Sequence, residues 1–108
     1  MKSIGLLSDT HGFLPERILN FFKKTDEIWH AGDIGNIELA DRLSSFRPFK
    51  AVYGNIDNED IRSVYPEHLR FKCEETDVWI THIGGYPGMY HRNVRPEIFN
   101  DPPKIFIS

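Results

Sequence analysis

Two hydrophobic periods alternate along the first half of the chain, and this alternation constrains the fold more than any other feature. Ile4-Gly5-Leu6-Leu7-Ser8 is a short apolar run that stops at Asp9, as a buried strand does. Leu14 to Lys24 follows with helical spacing, placing Leu14, Ile18, Phe21 and Phe22 on one face. Pro15 near its start and Lys23-Lys24 at its end suit a helix and its dipole. Glu27 to Ala31 reads as a second strand, closed by Gly32-Asp33. Ile37 to Phe46 reads as a second helix, with Leu39, Leu43 and Phe46 on one side. Phe49 to Tyr53 is a third strand, closed by Gly54-Asn55. Such a β-α-β-α-β series predicts an α/β fold built on a mostly parallel sheet.

The second half reads differently. His68 to Cys73 and Asp77 to Ile83 form a predicted hairpin joined by Glu74-Glu75-Thr76. Tyr86 to Pro103 is rich in Gly, Pro and Asn, which predicts a loop with a short helix around Pro96 to Asn100. Lys104 to Ile107 is a last strand, expected to pair within the first sheet. That placement would leave Phe71, Val78 and Trp79 of the hairpin as candidates for exposed surface. It would also favour self-association into a homo-oligomer. No repeat or linker divides residues 1–108, so a single domain is expected.

Composition narrows the partners. Of 108 residues, 40% are hydrophobic and 27% charged, which excludes a disordered tail, a collagen repeat and a disulfide scaffold. Thirteen basic against sixteen acidic residues give a net charge of −3, and no Lys/Arg run exceeds two. A broad grip on nucleic acid is therefore not expected. The single cysteine, Cys73, fits a reducing compartment. No stretch approaches the roughly 20 apolar residues of a membrane span. The expectation is a cytoplasmic protein without membrane contact.

The chemistry gathers at strand ends. Asp9-Thr10-His11 puts a carboxylate and an imidazole just past the first strand, although Asp9 or Thr10 could equally cap the next helix. Gly32-Asp33 follows the second strand and Gly54-Asn55 the third, with Asp57 close behind; Thr81-His82 ends the second strand of the hairpin. Each signal is weak singly. Together, Asp9, His11, Asp33, Asn55 and His82 fall at carboxyl ends of strands, where open α/β sheets bind ligands. All five offer oxygen or imidazole donors and no thiolate. Such a set suits Mn, Fe, Zn, Co or Ni, and a central aspartate can bridge two ions. His30 lies within a strand and fits packing behind such a site. His68 reads as solvated and His91 as an exposed loop residue, near Arg92 and Arg95.

Asp9-x-His11, Gly32-Asp33, Gly54-Asn55 and His82, in that order, resemble the calcineurin-like metallophosphoesterase superfamily, over essentially the whole chain. Gly54-Asn55-Ile56-Asp57 is similar to the form found in its small bacterial and archaeal phosphodiesterase branch. The resemblance implies a four-layer α-β-β-α sandwich and two divalent metal ions, with Mn²⁺ the expected metal and Fe, Zn, Ni or Co as alternatives. It implies that Asp9 and His11 hold one ion, Asp33 bridges both, and Asn55 and His82 hold the second. It further implies a phosphodiesterase acting on a small phosphate ester. A metal-bridging hydroxide would attack phosphorus in line with the leaving group, with Asp33 and Asn55 serving catalysis.

Three departures accompany the resemblance. Ile56 stands where larger members carry a histidine that acts as general acid. Ile83-Gly84-Gly85 after His82 lacks the second histidine of a His-Gly-His. A Gly-His-x-His motif expected after the strand Lys104–Ile107 is not reached, so the chain reads as the N-terminal part of a longer catalytic domain, its own activity impaired. These absences favour a rival, a non-catalytic protein-binding scaffold, since a retromer subunit resembling this fold serves mainly as an interaction platform. A phosphoacceptor response domain is disfavoured, because it needs a lysine where Thr81-His82 stands.

Overall fold

The computed structural model describes residues 2–86, 89–92 and 94–108. Three strands, β1 (Ile4–Leu7), β2 (Glu27–His30) and β3 (Phe49–Ala51), form a parallel sheet in the order β1-β2-β3. They are linked by helices α1 (Glu16–Phe22) and α2 (Ile37–Phe46), and α3 (Glu59–Arg62) follows β3. Every residue of the central strand β2 is buried. Its alternation splits two cores. Ile28 packs with Leu19, Phe22, Leu39, Leu43 and Ile61 on the helix side. Trp29 and Ala31 face the other way, onto Val78 and Ile80 of a second sheet.

That second sheet contains β4 (His68–Cys73), β5 (Thr76–Thr81) and β8 (Ile105–Ile107), in the order β4-β5-β8. Strands β4 and β5 form an antiparallel hairpin. Cys73 pairs with Thr76, so its turn is Glu74-Glu75 alone, and both residues have positive φ, 48° and 71°. This tight turn matches strand twist, and it draws Thr76, expected in the connection, into β5. Helix α4 (Arg95–Asn100) covers the outer face, where Val94 and Ile98 bury Trp79 beside Phe106. The layers therefore run α-β-β-α, as expected.

Strand β8 departs from its expected place. It pairs in parallel with β5 in the second sheet, Trp79 opposite Phe106. An unbroken apolar run needs a sheet covered on both faces. The second sheet supplies this: Ile107 packs in the core between the sheets, and Phe106 joins Trp79 and Tyr90 outside. The hairpin surface is corrected with it. Val78 and Trp79 are buried, and Phe71 is half-buried with its ring 5.0 Å from Trp29, edge to face. Among the strand residues, the exposed large apolar side chains lie instead at the edges β1 and β8, where Leu6 and Ile105 border a cleft of about 340 Å³.

Smaller corrections follow from local chemistry. Helix α1 turns Leu19 and Phe22 inward, whereas Phe21 is 74% exposed. Pro15 precedes α1 without a side-chain cap, so neither Asp9 nor Thr10 caps it. Asn36 caps α2 by accepting the Leu39 N–H, and Asn58 caps the unforeseen α3 through the Ile61 N–H. The predicted loop over Tyr86–Pro103 contains two short strands, β6 (Gly85–Tyr86) and β7 (Met89–Tyr90), while Pro87, Gly88 and Asn93 of that stretch lie outside the described residues. His68 is not fully solvated, because its ring lies 5.8 Å from Trp79.

One charge is buried between the sheets. Glu27 accepts bonds from the Trp29 indole N–H at 3.1 Å, from Lys2 at 3.3 Å and from Lys50. Burial pushes its pKa up, but the Lys50, Trp29 and Lys2 hydrogen bonds outweigh burial and hold it below the usual range. Both lysines keep access to solvent. Glu27→Ala therefore strands chiefly the buried indole N–H. Urea unfolding at pH 7 is expected to show a loss of about 1–3 kcal/mol. Adding Trp29→Phe should recover part of that loss.

Candidate metal centre

Three loops meet at the carboxyl end of the first sheet, and backbone hydrogen bonds join the first two. Asp9 N–H donates to Gly32 O at 3.0 Å, His11 N–H to Asp33 O at 3.0 Å and Gly12 N–H to Ile34 O at 2.7 Å. The third loop is a turn in which Asp57 N–H donates to Gly54 O at 3.1 Å. Asp57 ties it to the second loop. Its buried carboxylate accepts the N–H groups of Ile34 (3.1 Å), Gly35 (2.9 Å) and Gly54 (2.8 Å). Sequence spacing put Asp57 near the site, but nothing in the sequence shows that it gathers two loops.

A second buried connection fixes a tautomer. Gly32 N–H donates to His30 Nδ1 at 3.1 Å, so that nitrogen is unprotonated. Thr10 Oγ1 donates to Ile34 O at 2.9 Å and lies 2.9 Å from His30 Nε2, which must then carry the hydrogen. His30 is neutral here, and burial pushes its pKa down to about 4.

The functional side chains project from strained backbone. Asp9, His11 and Asp33 adopt left-handed φ values of 56°, 50° and 57°, costly for residues with a Cβ. Two glycines permit close approach. A Cβ on Gly54 would stand 2.0 Å from Asp33 Oδ1, and one on Gly32 would stand 2.6 Å from the His82 ring. The glycines in both motifs thus make room for the ligand-type residues.

Each carboxylate has one oxygen occupied and one aimed into a shared gap. The Ser8 hydroxyl lies 2.5 Å from Asp9 Oδ2 and holds that carboxyl below its usual range against burial, helped by His82 and His11. Ile56 N–H donates to Asp33 Oδ1 at 3.2 Å. Asp33 Oδ2 lies 3.2 Å from His82 Nε2 and 3.7 Å from His11 Nε2; Asp9 Oδ1 lies 4.0 Å and 3.8 Å from the same atoms. His82 Nδ1 is 2.9 Å from Ala31 O, a pure acceptor, so Nδ1 bears the hydrogen. In the neutral ring, the Nε2 lone pair then faces a carboxylate. That contact calls for a shared proton or a cation.

Asp9, Asp33 and His82 bring one ligand atom each within 4.8 Å of one another. His11 approaches both carboxylates but is 54% exposed. Asn55 is exposed and lines, with Tyr53, Arg62, Glu67, His82 and Ile83, an adjoining cavity of about 190 Å³. The mixed oxygen and nitrogen donors fit a borderline divalent metal such as Mn²⁺ or Zn²⁺.

A sequence model of the calcineurin-like phosphoesterase superfamily domain matches residues 1–105. The chain belongs to that superfamily. It is 31% identical over 90 residues to a probable metallophosphoesterase from Methanothermobacter thermautotrophicus, covering 78% of this chain and 51% of that protein. The chain thus spans about half the length of that relative. A Thermotoga maritima protein solved by NMR superposes with a TM-score of 0.75 at 26% identity, covering 99% of this chain and 72% of that one. Vps29 from Entamoeba histolytica, solved with Zn²⁺, superposes at 0.71 with 14% identity and 95% and 61% coverage; it bears on the fold alone.

The His30 connection sets a pH dependence. Its folded pKa near 4 lies below the unfolded value of about 6.5, so the unfolded chain takes up the proton first. His30's contribution should be fully present above about pH 6.5 and fall as pH drops toward 4, by up to about 3 kcal/mol. Chemical unfolding at pH 7, 6 and 5 should show this slope. His30→Gln should flatten it.

Proposed function

We propose that this protein is a divalent-metal-dependent phosphoesterase acting on phosphodiesters. One observation carries the reading: His82, whose Nδ1 is turned to Ala31 O, brings Nε2 to 3.2 Å from Asp33 Oδ2 and 4.0 Å from Asp9 Oδ1. Two carboxylate oxygens and an imidazole lone pair, each fixed from behind by a protein partner, form a donor set that a divalent cation would satisfy. In this reading Asp9, His11 and Asp33 hold one ion, and Asp33, Asn55 and His82 hold the second.

Bound ions would supply charge stabilisation at the phosphoryl oxygens and a water of lowered pKa. The chain's own residues do the rest. Ser8 and the Ile56 N–H orient the two carboxylates. Ala31 O fixes the His82 tautomer, and Asn55 can offer its amide N–H to a phosphoryl oxygen. Ile56, 47% exposed, stands directly after Asn55 and has no proton to give a leaving group.

In a version extended through a Gly-His-x-His motif, Mn²⁺ should stimulate hydrolysis of bis(p-nitrophenyl) phosphate, and EDTA should remove that activity. Asp33→Asn should lower turnover about 100-fold or more, since it weakens the shared ligand. Activity that survives EDTA, or a normal rate in Asp33→Asn, overturns the reading. Metal binding without turnover on any ester would favour the scaffold.

Rates should also fall steeply as the leaving group's pKa rises, because Ile56 supplies none of the roughly 10²–10⁴-fold help of a general acid. A series of substituted aryl phosphodiesters measures the slope. A flat series with rate-limiting chemistry would reveal an acid elsewhere.

A further inference from the structure

We propose that Arg62 is an anion-binding residue of the cavity beside the metal centre, receiving a phosphoryl oxygen of the bound ester. The identity of that anion rests on the phosphoesterase reading; the site itself rests on Arg62's surroundings.

Arg62 lies in the last turn of α3 and is anchored only by neutral groups. Its Nε donates to Asp57 O at 2.8 Å, and Nη2 reaches Asn55 O at 3.5 Å. Its guanidinium stacks 4.5 Å above the Tyr53 ring. Arg42 and Arg70 are neutralised, by Glu16 at 3.1 Å and Asp77 at 2.7 Å, and Arg47 spends its donors on the carbonyls of Thr25, Phe46 and Lys23, away from the cavity. Among the described residues no carboxylate lies within ion-pair distance of Arg62. Glu67 shares the cavity, yet its carboxylate lies 4.0 Å from His68.

Arg62 is therefore a positioned positive charge without a counter-ion among the described residues. Of its five N–H donors, the two contacts above use two. The cavity it lines also contains Asn55 and His82, so an anion held there sits next to the proposed ion ligands. Packing over Tyr53 and the hydrogen bond to Asp57 O hold the guanidinium in place, which reduces the ordering cost of accepting a phosphate oxygen. The residues that set its position, Asp57 and Asn55, belong to the same loop that carries the site. A phosphate-binding cation is thus built from the third loop and the helix after it.

The test uses the full 108-residue chain loaded with Mg²⁺ and titrated with inorganic phosphate. The Arg62 Nε–H resonance should shift saturably. Calorimetry should show phosphate binding about tenfold or more weaker in Arg62→Met, which keeps an aliphatic stem over Tyr53. Arg62→Lys should recover part of that affinity. With bis(p-nitrophenyl) phosphate and Mn²⁺, Arg62→Met should raise KM while kcat changes by less than about threefold. A purely structural role would instead lower kcat and thermal stability together. No saturable shift at Arg62, or wild-type phosphate affinity in Arg62→Met, overturns the proposal, and the wild-type resonance decides it even if the variant folds poorly. Phosphate binding through Arg62 without ester hydrolysis under any divalent ion, in this chain and in a version extended through a Gly-His-x-His motif, would sink the phosphoesterase reading and leave the anion site standing. Hydrolysis with a KM unmoved by Arg62→Met would do the reverse.

Discussion

The Asp57 carboxylate is the contact on which the site's arrangement most depends. By accepting three N–H groups from Ile34, Gly35 and Gly54, it fastens the loop after β3 to the loop after β2. That tie places Gly54 beneath Asp33, whose Oδ1 occupies the space a Cβ would take, while Ile56 N–H grips the same oxygen. Asp57 also steers Arg62 through its own main-chain carbonyl. A buried carboxylate with three donors is well satisfied, and removing it would leave three amides to find new partners.

Around this anchor the molecule concentrates strain and charge in one region. Outside the Glu74-Glu75 turn, the left-handed residues that are not glycine, Asp9, His11 and Asp33, fall with two facing carboxylates and the His82 imidazole within the first two strand-end loops and the end of β5. Each is unfavourable alone. They persist because the strands beneath are packed on both faces and because backbone hydrogen bonds and the buried Asp57 carboxylate join the loops. A cation in the gap would relieve the electrostatic part, which links metal affinity to the rigidity of the scaffold.

Periodicity made most elements legible. The span Ile37–Phe46 for α2 and the span His68–Cys73 for β4 coincide with the sequence reading, because each has a clean amphipathic or apolar pattern bounded by breakers. The α1 face was misjudged at Phe21, since seven helical residues cannot by pattern alone say which apolar side chains face the sheet. Strand β8 pairs with β5 and not within the first sheet, for a related reason. An apolar strand reports that both its faces are covered, not what covers them.

For the site, the sequence by itself placed Asp9, His11, Asp33 and Asn55 just past the strands of the parallel sheet, whose carboxyl ends chain order sends to one edge, and His82 just past β5. Only the tertiary structure decided how they are held. The His82 tautomer depends on Ala31, 51 residues away in the chain; the His30 tautomer depends on Thr10 and Gly32. Asp57 as loop anchor and Arg62 as an unpaired cation likewise exist only once β3, α3 and the Gly32–Gly35 loop are folded together. Hydrophobic period is a local property that a chain carries in its order. Proton position and charge pairing are properties of contacts between distant segments, which no local pattern encodes.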